Sequence, residues 1–155
     1  MGALDTQVGG DHYRTLGIQP VEFAMTQGYD FAAASILKYV TRHRTKAGRQ
    51  DVEKALHFVG LRSQVVEKHA LANFLGAVRA MWRATGLTWF LTISGRAQWQ
   101  TDMLTYCEAN GIAGDDATAL LALEDWVNGN AAAEPKLADA IARLVAGYDA
   151  GAMPA

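Results

Sequence analysis

The chain has 155 residues, half of them hydrophobic and 19% charged, with a net charge of −2. That is the size and balance of one globular domain, or of a small domain with an appendage, and it can bury a core without disulfides or structural metal. A single cysteine, Cys107, excludes an intrachain disulfide framework and points to a reducing, cytoplasmic setting. The opening MGALDTQVGGDHY lacks the basic start and apolar run of a secretory signal.

In chain order, residues 1–17 read as loop, punctuated by Gly9, Gly10 and Gly17. Gln19-Pro20-Val21-Glu22 reads as a helix start, with proline suited to the first turn and Glu22 facing the positive helix end. That helix is expected over 20–27, stopping at Gly28. Asp30 is the candidate N-cap of a helix over 30–45, and Gly48 closes it in a left-handed conformation. Asp51 then caps a helix over 51–69, so the two helices form an antiparallel hairpin. Residues 70–84 read as a further helix. Leu87–Ile93 fits a short strand or a buried helical segment. Helices are expected over 96–109, from Asp115 or Asp116 to 128, and from Pro135 to 148, with hinges at Gly111–Gly114 and Asn128–Glu134. The expected fold is all-α, with a hairpin-centred unit over 1–69 and a C-terminal helical extension over 70–155. The most apolar stretch, LANFLGAVRAMWRATGLTWFLTI, carries Arg79 and Arg83, which argues against a membrane span.

The small net charge conceals an asymmetry. Residues 1–37 hold one basic and four acidic residues (−3), residues 38–100 eleven and three (+8), and residues 101–155 two and nine (−7). A basic middle fits a phosphate-bearing partner; it also fits an acidic tail folded over it, within one chain or between subunits of a homo-oligomer. At about 100° per residue, Ser35, Lys38 and Arg42 fall on one side of the first hairpin helix, with Tyr39 at its edge, opposite Ile36, Leu37 and Val40. On the second helix Val52, Ala55, Leu56, Val59 and Val66 make the apolar face. Lys54 and Arg62 sit at its border, and Glu53, His57, Gln64 and Glu67 face outward. Border cations either meet an anion or bury only their stems. Asp51 alone cannot neutralise Lys38, Arg42, Lys46, Lys54 and Arg62.

The order of residues resembles a small phage-encoded domain family, long catalogued as of unknown function, that includes the P-loop-less nucleotide kinase of T7-like phages. Asp11-His12-Tyr13, Ile18-Gln19-Pro20 with Glu22, and Ile36 followed by KYVxRxxxKxGxxDxxKA over Lys38–Ala55 carry the likeness, across about residues 10–66. Ser35 stands where relatives tend to have Asn, and Val52 where Leu is common, which leaves the base open. The resemblance implies a (deoxy)nucleoside monophosphate kinase or nucleotide-binding protein, and no GxxxxGK[ST] occurs in the chain. In that reading Lys38, Arg42, Asp51 and Lys54 form the catalytic set, and Lys38, Arg42, Lys46 and Lys54 clamp phosphates. His12, Tyr13, Ser35, Tyr39, Lys46 and Arg62 contact substrate, and Tyr13, Tyr39 or Phe58 stacks on a base. A nucleoside triphosphate donates the phosphoryl group, and Asp51 or Glu22 holds Mg²⁺, although Asp51 is equally explained as a helix cap.

Other constellations are missing. His12, His43, His57 and His69 have no partners at metal-ligand spacing, and Cys107 reads as a small buried apolar residue. A competing expectation is a non-catalytic accessory protein that binds a host protein through its C-terminal extension, with Trp82, Trp89, Trp99 and Trp126 as anchors. Single-stranded nucleic acid fits worse, because the basic stripe is compact and the acidic tail repels a polyanion.

Overall fold

The computed structural model describes residues 13–83 and 102–153, with residues 69–83 as helix backbone. Among the described residues every regular element is a helix. Six α-helices follow in order: α1 (Pro20–Gln27), α2 (Phe31–Arg42), α3 (Arg49–Arg83), α4 (Met103–Ala109), α5 (Gly114–Val127) and α6 (Ala133–Asp149), with a 3-10 turn at His43–Thr45 after α2. The expected strand or helix over Leu87–Ile93 lies outside the described residues.

Local chemistry sets the first boundaries. Pro20 opens α1, and Gly28 closes it with φ 67°, a conformation that costs glycine little. Tyr29 N–H then returns to the Ala24 carbonyl at 2.9 Å. The Asp30 carboxylate caps α2 by accepting from Ala33 N–H at 2.8 Å.

Three boundaries depart from the sequence reading. The helix expected over 30–45 tightens into the 3-10 turn at His43, where the side chain turns inward. The expected cap Asp51 is instead inside the first turn of α3, its carboxylate turned toward Arg42. The helices expected over 51–69 and 70–84 are one helix of 35 residues, about 52 Å long at 1.5 Å per residue. No proline interrupts residues 49–83, and Gly60 sits on an exposed face with open space where a Cβ would stand, so nothing breaks the helix. Asp115 and Asp116 likewise do not cap α5. Ala113 occupies that position, and both carboxylates pair with cations elsewhere.

Helices α2 and α3 form the hairpin, and α6 runs antiparallel to α3. Arg49 meets Asp149 at one end and Ser63 meets Glu134 at the other. Helices α5 and α6 form a second hairpin that closes over the first. Phe23, Ile36, Leu37, Val40, Val52 and Val59 from the first three helices share one core with Met103, Tyr106, Leu120, Leu123, Leu137, Ile141 and Leu144. Helix α4 is tied in twice. The Asn110 amide accepts from Ile18 N–H (3.2 Å) and donates to the Ile18 carbonyl (3.0 Å), and Glu124 accepts from Met103 N–H (3.1 Å). Leu56 and Val66, expected on the apolar face of α3, are exposed instead. The neighbouring helices cover only a narrow stripe of α3 through Val52, Ala55 and Val59.

Candidate functional site

The face shared by α2 and the first turns of α3 gathers most of the cations singled out in the sequence. Three of them surround one aromatic ring. Lys38 Nζ lies 4.5 Å, Arg42 Cζ 5.0 Å and Lys54 Nζ 5.7 Å from the centroid of Tyr39. Positions 35, 38 and 42 share a side of α2, and Lys54, one turn into α3, faces them across the hairpin. Tyr39 in turn stacks on Phe58, centroids 5.9 Å apart and planes 28° apart.

Asp51 is the one carboxylate within salt-bridge distance of these three cations among the described residues. It is fully buried, accepts from Arg42 Nε (2.9 Å) and Nη2 (3.1 Å), and lies 3.5 Å from Lys54 Nζ. Arg42 also donates through Nη1 to the Tyr13 hydroxyl at 3.2 Å. Burial pushes the Tyr13 phenol up, and the Arg42 hydrogen bond pulls it part of the way back. Both edges of the guanidinium are thus taken, and Arg42 is a fixed positive charge with a set orientation instead of a bidentate gripper. Lys38 has no carboxylate partner among the described residues. The face therefore carries three cations against one anion.

The other expected site residues lie further out. Arg62 is on the border of α3 as expected. Its side chain is 12% exposed, stacked 4.2 Å from the Trp126 ring and bonded to Asp30 at 2.8 Å. That partner and that ring take it out of the cation cluster. Lys46 is exposed in the turn before Gly48, and Glu22 is exposed on α1, apart from the residues around Tyr39. His12 lies outside the described residues. Ser35 is buried on α2 and lines a pocket between α1 and α2 of about 260 Å³, which Tyr13 and Lys38 also line.

A protein-held Mg²⁺ does not fit this arrangement. Both Asp51 oxygens face Arg42, with Lys54 close behind, so a cation there would displace two others. Among the described residues no three His, Cys, Asp or Glu side chains converge on one point. Trp126, expected as a partner anchor, is buried beneath Arg62, while Trp89 and Trp99 lie outside the described residues. Cys107 is buried, and desolvation raises its thiol to about 11, which leaves it an inert packing residue at neutral pH. Tyr39 is taken up by Phe58 and the three cations around its ring, while Phe58 also packs against Phe31 and borders a groove along α2 and α3.

Sequence reasoning missed a second polar cluster, in the turn just after α2. His43 is buried, with Nε2 3.0 Å from Asp116 Oδ1 and Nδ1 2.8 Å from the Tyr148 hydroxyl. With Asp116 ionised, Nε2–H donates to the carboxylate, and Nδ1 shares a hydrogen with the Tyr148 hydroxyl. Arg44 Nε completes the set by donating to Asp116 Oδ2 at 2.7 Å. Burial alone would raise the Asp116 pKa. The hydrogen bonds from His43 and Arg44 outweigh it and hold the carboxyl below its ordinary value. Only an inward-turned His43 could have revealed the cluster, and the helical periodicity that placed the other residues ends one position earlier.

Basic and acidic blocks of the chain meet elsewhere too. Arg49 bonds to Asp149 (2.8 Å) and Glu53, and Arg143 to Asp115 (3.0 Å). Part of the charge asymmetry is therefore neutralised within one chain. No described helix is long and apolar enough to cross a membrane.

A family model described as "Protein of unknown function (DUF3310)" matches residues 8–60, a third of the chain. The match spans Tyr13, Ser35, Lys38, Tyr39, Arg42, Asp51 and Lys54, and ends before Arg62. No curated protein and no solved structure matches the chain.

Proposed function

We propose that this is a nucleotide-binding protein that receives phosphates on the Lys38–Arg42–Lys54 face, and that its reaction is phosphoryl transfer to a nucleoside monophosphate. The observation that carries the reading is the imbalance around Tyr39, three cations to one buried carboxylate. Holding like charges together is unfavourable in isolation, and phosphate oxygens would relieve it with charge-assisted hydrogen bonds. The matched family segment contains every residue of this cluster, and the resemblance to the phage nucleotide kinase supplies the reaction class.

The residues divide the work by geometry. Arg42, fixed by Asp51 and Tyr13, supplies a preorganised positive field. Lys38 and Lys54 carry free ammonium protons that follow the phosphates as point charges. In the transfer itself, an oxygen of the acceptor phosphate bonds to the terminal phosphorus of the triphosphate as the bridging P–O bond to the diphosphate breaks. A phosphate dianion is already a nucleophile, so no general base is required. Asp51 then has the structural role its burial implies, and any Mg²⁺ arrives on the triphosphate.

A partner-binding reading has its own support. Phe31, Val65 and Val66 are exposed beside a groove of about 410 Å³ along α2 and α3. The two readings separate in one calorimetric series with deoxynucleoside mono- and triphosphates plus Mg²⁺, on the full chain and on Lys38→Ala/Lys54→Ala. Saturable binding lost in the double variant is expected. No heat with any nucleotide would sink the proposal, and a coupled phosphotransfer assay then distinguishes an enzyme from a binding protein.

A further inference from the structure

Phosphate recognition leaves the rest of the ligand unassigned, and the pocket between α1 and α2 addresses it. Its walls are apolar, formed by Pro20, Val21, Ala24, Tyr29 and Ala34. Met25 and Phe31 border it while remaining 79% and 80% exposed, large apolar side chains that the core does not use. Inside lies Ser35, only 4% exposed, one of the few polar residues lining the pocket. Its hydroxyl can donate to or accept from a ligand atom seated there. Ser35 and Lys38 are one turn apart on α2, about 5 Å along its axis. Lys38 lines the same pocket, so a molecule that fills it lies within reach of the Lys38 side chain.

We infer that this pocket receives the nucleobase of a nucleoside monophosphate, with Ser35 bonding to the base edge and Lys38 to the phosphate. The inference rests on the phosphate reading above and adds where the base goes and what reads it. The shape suits a planar ring, with apolar walls for its faces and one hydroxyl for its edge. Tyr39 is excluded as a stacking platform because its surroundings already hold Lys38, Arg42, Lys54 and Phe58. An anionic sugar lacking a base would leave the apolar walls wet.

The test compares three probes by calorimetry: the common deoxynucleoside monophosphates, deoxyribose 5-phosphate and inorganic tripolyphosphate. At least one deoxynucleoside monophosphate is expected to bind more than tenfold tighter than deoxyribose 5-phosphate. Val21→Trp, at an exposed position on the pocket wall, should abolish that advantage and leave tripolyphosphate binding unchanged. Ser35→Ala should weaken the preferred nucleotide about 5–10-fold, the value of one net hydrogen bond. Equal affinity for nucleotide and sugar phosphate, or indifference to both substitutions, would overturn the base assignment while the phosphate site stands. A blank against all three probes ends the phosphate reading and this inference together.

Discussion

Two charge clusters near the C-terminal end of α2 behave in opposite ways. In the His43 cluster every group is answered: His43 by Asp116 and Tyr148, and Asp116 by Arg44 as well. Around Tyr39, Arg42 and Lys54 share Asp51, and Lys38 has no carboxylate at all among the described residues. The first arrangement is closed and suits a latch that ties α2 to α5 and α6. The second is short of negative charge and suits a ligand that brings its own. Charge density along the sequence does not tell the two apart. What separates them is how much of it the fold itself neutralises.

The sharpest way to break the contrast is to remove the shared anion. Asp51→Ala strips a fully buried carboxylate from Arg42, whose side chain is itself largely buried. Removing one partner of a buried pair should cost about 3–5 kcal/mol, read in urea or thermal unfolding. Added tripolyphosphate should recover more stability in this variant than in the parent chain, because the anion deficit is larger. No recovery would argue that phosphates do not reach the Tyr39 cations.

In the closed cluster, Asp116→Asn keeps the shape but loses the charge that strengthens two hydrogen bonds, and should cost about 2 kcal/mol at neutral pH. The pH dependence has a definite sign. The folded pKa of Asp116 is depressed, so its contribution is fully present above the unfolded carboxylate value near 4. It is lost as pH falls through the lower folded value. The variant should therefore unfold in acid with a shallower pH dependence than the parent, measured as the denaturation midpoint from pH 6 to pH 2.

How far the sequence could take this division is visible residue by residue. Periodicity on α2 placed Ser35, Lys38, Tyr39 and Arg42 on one face, and Pro20, Gly28, Asp30 and Gly48 marked their boundaries, because those are local effects. Helical spacing puts Arg62 on the border of α3, but its partner Asp30 is a cap residue on another helix, out of reach of any local rule. Asp51 reads in the sequence as a cap or a metal-holding carboxylate, and Asp115 or Asp116 as a cap. Each stands in the right neighbourhood for a helix start, yet tertiary contacts with Arg42 and His43 claim the side chains. The pocket between α1 and α2 was illegible for the same reason: it depends on an interhelical gap, not on a pattern within either helix.

A smaller effect tests a group that belongs to neither cluster. The Tyr29 hydroxyl is buried without a partner among the described residues, and burial, reinforced by Glu124, raises its pKa. Tyr29→Phe removes only that oxygen and should stabilise the chain by about 1 kcal/mol, seen as a higher unfolding midpoint. A loss of stability would mean that the hydroxyl has a partner.

Smallest in stability, and largest in meaning for the contrast, is Lys38→Met. The stem of Lys38 borders an apolar pocket and its ammonium meets no carboxylate among the described residues, so methionine keeps the packing and relieves repulsion from Arg42 and Lys54. Unfolding midpoints should stay within about 0.5 kcal/mol of the parent. If the ammonium were only a solvated surface charge, nucleotide affinity would be equally unmoved. In the proposed site it faces the phosphate, and the same folded variant should lose tenfold or more in affinity by calorimetry. Unchanged stability with lost binding is the signature of a charge kept for a ligand. Unchanged stability with unchanged binding would class the Tyr39 cluster with the His43 cluster, as charge that serves the fold alone.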